Sequence, residues 1–218
     1  MNCPAERFAA LDGISGVQAA FLLRSPGIDV STDRETALAR LTEAHRDAAS
    51  ALGFPLPFAT AEQVHGDRAA WVRAASEAPA PGADALITGT PGLTLAIYVA
   101  DCAPVYLVDA RNRAIGLVHS GKKGTASGIV PKTLAAMGDA FGTDPAGTIL
   151  QIGPCIRPLC YETDFAAEII RQARAAGVAH IHDCGVCTAC EPGRYYSYRR
   201  EKGRTGRLLA LLALRELV

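Results

Sequence analysis

The sequence predicts a domain that mixes short buried strands with amphipathic helices. One observation is a series of short apolar runs, rich in aliphatic and β-branched residues and bounded by Pro, Gly, Asn or Asp. Strands covered on both faces read this way. Another is the set of stretches between them whose apolar residues recur at helical spacing behind a capping residue. A third is size: 218 residues, 49% apolar, with no Ser/Gly/Pro linker long enough to divide them. Residues 1–218 therefore read as one domain.

Taken in order, Val17–Leu23 (VQAAFLL) reads as a strand ending at Arg24-Ser25-Pro26-Gly27. Thr32-Asp33-Arg34-Glu35 fits a capping box, with Leu38, Leu41, Ala48 and Leu52 forming one helical face and Gly53 closing it. Phe58–Val64 is an expected strand that delivers Gln63-Val64-His65-Gly66, and Ala69–Val72 continues extended. Ser76–Gly82 is a surface loop, and Ala83–Thr88 leads through Pro91-Gly92 into the central stretch, Leu93 to Gly124. That stretch holds three buried-strand runs, Leu93–Val99, Val105–Val108 and Ala114–Val118. A helix is expected over Ser127–Phe141, carried by Ile129, Val130, Leu134, Met137 and Phe141, with Pro131 tolerated near its first turn. Thr148–Ile152 is a further strand, followed by a proline-fixed loop to Glu162; Asp164 then caps a helix carrying Phe165, Ile169, Ile170 and Ala173. Val178–Cys184 is extended. A last helix is expected from Thr205-Gly206 through Leu217, apolar almost all round and hence buried.

Lys and Arg total 22, as do Asp and Glu. The balance gives no bulk attraction to nucleic acid or to an acidic membrane surface. It also leaves self-association open, so a monomer or homodimer is expected. Met1–Ala10 carries Glu6 and Arg7 and has no apolar core, and the apolar runs are too short for a bilayer. The expectation is a cytoplasmic protein without a membrane partner. Seven Cys, an odd number in a chain of this size, favour reduced thiols or metal ligands over a disulfide framework.

Chemistry-bearing residues collect at the ends of the central strands. Asp101-Cys102 follows the first run, and His119 follows the third. Singly, such a Cys is usually a small hydrophobe and such a His a hydrogen-bonded structural residue. His65, where an extended segment meets Gly66, is a third candidate. Two imidazoles and a thiolate suit zinc with its fourth position open, the catalytic pattern. A metal-free Cys–His nucleophile pair is the alternative, and His65 lying elsewhere is another. Lys122-Lys123-Gly124 before a helix start offers an anion site or else a solvated charged turn. Cys184, Cys187 and Cys190 are spaced like an iron–sulfur ligand run without its fourth Cys, which Cys155 or Cys160 can supply from a distance. Zinc at Cys187–Cys190, or packed reduced thiols, are the other readings, and this group is the working part of a non-catalytic metal-binding or redox module if the chain is no enzyme. Gly193–Arg200 (GRYYSYRR) can grip a base and a phosphate or cover the edge of a core. No P-loop and no dinucleotide fingerprint is present.

Together, Gln63-Val64-His65-Gly66, ADALIT, Pro91-Gly92, Ala100–Val105, Val118–Gly121, IGPCIRPLCYE, CTAC, YYSYRR and GRTGR resemble the laccase-domain or YfiH-like family, formerly described as polyphenol oxidases. The resemblance runs from about Val17 to the end. It implies an α+β fold of mixed β-sheets with flanking helices. It implies zinc on His65, Cys102 and His119 as the catalytic centre. It also implies a purine nucleoside phosphorylase that takes a nucleoside and phosphate, deaminates adenosine and acts on methylthioadenosine. Copper-dependent phenol oxidation is not implied, since five His are too few for it. The family pattern differs at Lys122-Lys123, where it has Trp-Arg, and at Leu22–Gly27, which keeps only part of its Thr-x-Arg-x-Gly-Gly. Both segments border the substrate in this reading, through Arg24, Lys122 and Lys123.

Overall fold

A computed structural model describes residues 4–76 and 78–216. Two mixed sheets lie face to face with helices outside them. The first contains β1 (Ala5–Glu6), β2 (Val17–Leu22), β3 (Phe58–Thr60), β6 (Thr94–Val99) and β11 (Leu208–Leu214) in the order β1-β2-β11-β6-β3. The second contains β4 (Ala69–Trp71), β5 (Ala85–Thr88), β7 (Ala103–Asp109), β8 (Ala114–Ser120), β9 (Ile149–Ile152) and β10 (His180–Asp183) in the order β10-β9-β7-β8-β5-β4. Most neighbours are antiparallel; β3 with β6, β4 with β5 and β9 with β10 are parallel. The helices are α1 (Arg34–Ala51), α2 (Lys122–Ala126), α3 (Ile129–Phe141) and α4 (Phe165–Ala175). This is an α+β fold.

Alternation along the strands explains the layers. Successive side chains point to opposite faces, and both faces here are apolar. Leu208, Ala210, Leu212 and Leu214 of β11 meet Tyr106, Val108, Ile115 and Leu117 of the second sheet in the core between the sheets. Leu209, Leu211 and Ala213 point the other way, against Ala48 and Ala49 of α1. Val105, Leu107 and Val118 face outward onto Ile129, Leu134 and Met137 of α3 and Phe165 and Ile169 of α4. Inside the sandwich the Tyr106 hydroxyl donates to the Ala20 carbonyl at 3.0 Å, which ties the sheets to each other.

Four expectations change. The C-terminal segment is not a helix but β11, the middle strand of the first sheet, with Leu211 opposite both Ala20 and Ala96. Its run Leu208–Leu214, LLALLAL, satisfies a helix buried all round or a strand buried on both faces; its brevity decides for the strand. Leu217, to which the helix was expected to run, lies outside the described residues, as do Met1–Cys3 and Glu77. The strand expected over Phe58–Val64 stops at Thr60, and Gln63 and His65 adopt left-handed φ of 61° and 63°. Lys122 and Lys123 do not precede the long helix but open α2, while α3 starts separately behind Gly128. The cap of α1 is Asp33, which accepts from the Thr36 N–H at 2.9 Å, rather than Thr32. Asp164 caps α4 as expected.

Candidate active site

His65, Cys102 and His119 meet where the chain passes between the sheets. Cys102 lies in the crossing from β6 to β7, that is, from the first sheet to the second. His65 lies in the loop from β3 to β4, a second crossing. His119 is near the end of β8, opposite Pro104. One ligand atom from each lies within 4.8 Å of the others, and the two imidazoles stand edge to face with centroids 4.8 Å apart. Gly121 permits the approach: a Cβ there would fall 2.5 Å from the Cys102 sulfur.

A residue with little signal of its own in the sequence organises the group. Asp84, fully buried just before β5, places Oδ1 2.7 Å from His119 Nδ1 and accepts the His65 N–H at 2.9 Å. Its Oδ2 accepts from the N–H groups of Val64 at 3.1 Å and Gly66 at 2.7 Å. One carboxylate thus holds the left-handed His65 turn and orients the His119 ring. Burial alone would raise the Asp84 pKa, but the His119 ring and the main-chain donors lower it below the ordinary carboxylate range. An ionised Asp84 keeps the proton on Nδ1 and turns Nε2 toward the site, the arrangement of metal-ligating histidines. The one cue in sequence was an acid embedded in ADALIT, an otherwise apolar run.

Electrostatics favour the thiolate. Burial pushes the Cys102 thiol up, but His119 and His65 overcome it and hold the pKa at about 6. Burial pushes His119 down, while Cys102 and Asp84 raise it to about 9. Without a metal this is a thiolate–imidazolium pair; a metal cation takes over the role of the imidazolium proton. Two nitrogens, one sulfur and a fixed ring tautomer fit zinc, and all three residues can hold it.

The trio borders a cavity of about 850 Å³. Lys122, Lys123 and Arg199 supply its cationic wall, and Tyr161, Phe165 and Tyr198 its aromatic one. Glu162 bridges Lys122 at 3.2 Å and Arg199 at 2.8 Å, and the Arg199 guanidinium lies 4.6 Å from the Tyr161 ring centre. Arg24, expected to border the substrate, does not line this cavity. It donates to Glu201 at 2.7 Å and to the Tyr195 carbonyl at 3.1 Å, lying over the Tyr196 ring. The GRYYSYRR segment divides in the same way: Tyr195 and Tyr196 are core, Tyr198 and Arg199 face the cavity.

The second thiol group forms with a different membership. Cys160, Cys187 and Cys190 converge, with ligand atoms within 4.8 Å, whereas Cys184 packs against the core between the sheets.

Comparison with known proteins agrees with this architecture. The family described as multi-copper polyphenol oxidoreductase laccase matches residues 26–172 and 163–215. A relative from Geobacillus stearothermophilus named purine nucleoside phosphorylase YlmD is 32% identical over 87% of this chain and 83% of its own. One from Deinococcus radiodurans, named purine nucleoside phosphorylase, is 33% identical over 89% of this chain and 88% of its own. The crystal structure of Bacillus licheniformis YfiH shares the fold, with a TM-score of 0.85 at 24% identity over 94% of this chain and 95% of that one. On these matches the chain belongs to the family described as multi-copper polyphenol oxidoreductase laccase, the laccase-domain or YfiH-like proteins.

Proposed function

We propose that the chain is a zinc-dependent purine nucleoside phosphorylase acting on adenosine, inosine or methylthioadenosine, with adenosine deaminase activity at the same site. The observation that carries this reading is one cavity combining a His-Cys-His donor group, a cationic wall and an aromatic wall. The names of the relatives support an enzyme of the phosphorylase kind. The multi-copper description fits the residues poorly: of the five His, only His65 and His119 reach the site, while His45 is buried on α1 and His180 and His182 stand on β10.

In phosphorolysis an oxygen of phosphate attacks the ribose C1′ as the C1′–N9 bond breaks and its electron pair leaves with the purine. Lys122, Lys123 and Arg199 hold the phosphate and balance the charge of the oxocarbenium-like state. Tyr161, Phe165 and Tyr198 offer ring faces to the base. His65, Cys102 and His119 hold the zinc, with Asp84 fixing the tautomer of His119. Zinc, when bound, supplies Lewis-acid polarisation of a substrate or water oxygen. In deamination, water adds at the purine C6 and ammonia leaves. Glu162, beside the cationic wall, is held below the usual carboxylate range by its own N–H, Lys122 and Arg199. Asp101 has both oxygens engaged, by the Thr188 hydroxyl and the Arg199 N–H, and acts as a positioning residue.

The test is chromatography of adenosine, inosine and methylthioadenosine incubated with zinc-replete protein, with and without phosphate. Phosphate-dependent release of free base supports phosphorolysis, and inosine formed from adenosine without phosphate supports deamination. Both should vanish in His119→Ala. If neither appears in zinc-replete protein, the enzymatic reading fails.

A further inference from the structure

We propose that Cys160, Cys187 and Cys190 form a second metal site, built from thiolates alone and suited to zinc, that clamps a loop of the cavity wall to the loop behind it. The geometry is that of a thiolate metal site. The Cys160 and Cys190 sulfurs are 3.6 Å apart and all three sulfurs lie within 4.8 Å. A tetrahedral centre with zinc–sulfur bonds of about 2.3 Å sets sulfurs about 3.8 Å from one another. Cys187 and Cys190 occupy one turn, closed by the Cys190 N–H on the Cys187 carbonyl at 3.2 Å. Cys190 is exposed, which leaves the fourth position to water. Soft thiolates select zinc or copper(I) over hard cations.

The surroundings say what the clamp holds. One loop follows β9 and carries Cys155 to Glu162; the other follows β10 and carries Cys184 to Cys190. They are already in register, through Cys155 N–H to the Val186 carbonyl at 3.3 Å and Thr188 N–H to the Cys155 carbonyl at 3.2 Å. Arg157 spans them by its bond to Asp183 at 2.8 Å. The first loop presents Ile156 and Tyr161 to the cavity. Between the two cysteines of the turn, Thr188 donates its hydroxyl to Asp101 at 2.7 Å, and Asp101 adjoins Cys102. The clamp therefore positions the Cys102 segment and the Tyr161 wall without touching substrate.

The experiment uses the full chain, purified under reducing, zinc-replete conditions. Elemental analysis should find two zinc per chain. A His65→Ala/His119→Ala variant should retain one, and cobalt(II) added to its metal-free form should give the intense near-ultraviolet sulfur-to-cobalt band of several thiolates. Adding Cys187→Ser to that variant should remove the metal and the band. A folded double-His variant, judged by circular dichroism, that holds neither zinc nor cobalt overturns the proposal. So does a thiol titration of the denatured wild type that finds two of these sulfurs joined as a disulfide. Should the double-His variant not fold, a wild-type content of one zinc that is lost in Cys102→Ser overturns it equally. Failure of the active-site zinc reading looks different: one zinc remains, insensitive to His65 and His119 and lost with Cys187.

Discussion

Replacing Asp84 by Asn tests the organisation of the candidate active site with almost no change in volume. The carboxylate receives four donors, two on each oxygen: His65 N–H and His119 Nδ1–H on Oδ1, Val64 N–H and Gly66 N–H on Oδ2. An amide offers one acceptor oxygen and one donor NH₂. If the NH₂ replaces Oδ2, the Val64 and Gly66 donors face another donor. If it replaces Oδ1, His65 N–H loses its acceptor, and His119 can pair only by moving its proton to Nε2, the nitrogen needed for a metal. A buried donor left unpaired costs about 1–3 kcal/mol. Loss of a carboxylate behind a ligating His typically weakens metal binding about 10- to 100-fold. Asp84→Asn is therefore expected to bind zinc at least tenfold more weakly, measured by competition with a chelating dye, and to unfold at lower urea. Because Gln63 and His65 hold left-handed φ, their turn should also lose hydrogen-exchange protection. Zinc affinity within twofold of wild type in a folded Asn variant would refute the assigned role of the carboxylate.

The remaining expectations are independent of one another. Gly121→Ala has ordinary backbone angles available, φ −100° and ψ −171°, so its cost is the methyl placed 2.5 Å from the Cys102 sulfur; zinc affinity should fall tenfold or more, while Gly147→Ala, with nothing within 4 Å, leaves it unchanged. Lys122→Ala and Lys123→Ala should each raise the KM for phosphate severalfold with a smaller change in the nucleoside KM, read from steady-state kinetics; equal changes in both would remove the phosphate role. His45 on α1 is held at a pKa of about 4 by burial, which the Arg207 main chain offsets only in part. A lowered folded-state pKa means that the unfolded chain binds the proton first, so this stability is present above about pH 6.5 and drains away toward pH 4. The structure predicts a loss of about 2 kcal/mol between pH 7.5 and pH 5 from urea unfolding, and His45→Gln should flatten that part of the profile; an unaltered slope in the variant would show that other groups cause it.

Legibility in the sequence followed how local each signal is. Val17–Leu22, Thr94–Val99 and Ala114–Ser120 are apolar runs with turn residues at their ends, and they are strands. The Leu208–Leu214 run is apolar enough for a helix buried all round or a strand buried on both faces, and its brevity and its pairing with β2 and β6 separate the two. His65, Cys102 and His119 each have a bland use taken singly, and only as a set of three metal-competent side chains do they stand out in the sequence. Asp84 does not, since an acid beside an apolar run looks like a turn residue until the left-handed His65 turn folds over it. Arg24 was misplaced because its fate depends on Glu201 and Tyr196, far along the chain. The same holds for Cys160, whose approach to Cys187 and Cys190 follows from the parallel pairing of β9 with β10.

The location of the candidate site at the crossings between sheets has a structural consequence. Cys102 and His65 sit on segments that begin in the first sheet and end in the second, so their separation depends on how the two sheets pack. That packing is set by interdigitated Leu, Ile and Tyr side chains, which resist small displacements because interiors are close-packed. Metal held by those residues is then bound to the assembled sandwich and not to the unfolded chain, and its binding energy adds to the stability of the whole fold. The thiolate group differs: its ligands come from two loops on one sheet, both following paired strands β9 and β10. Metal there steadies the cavity wall locally, against loop opening rather than against separation of the sheets. The chain thus places one donor group where the two sheets are joined and the other where two loops of one sheet meet, and the Asp101–Thr188 bond links the two.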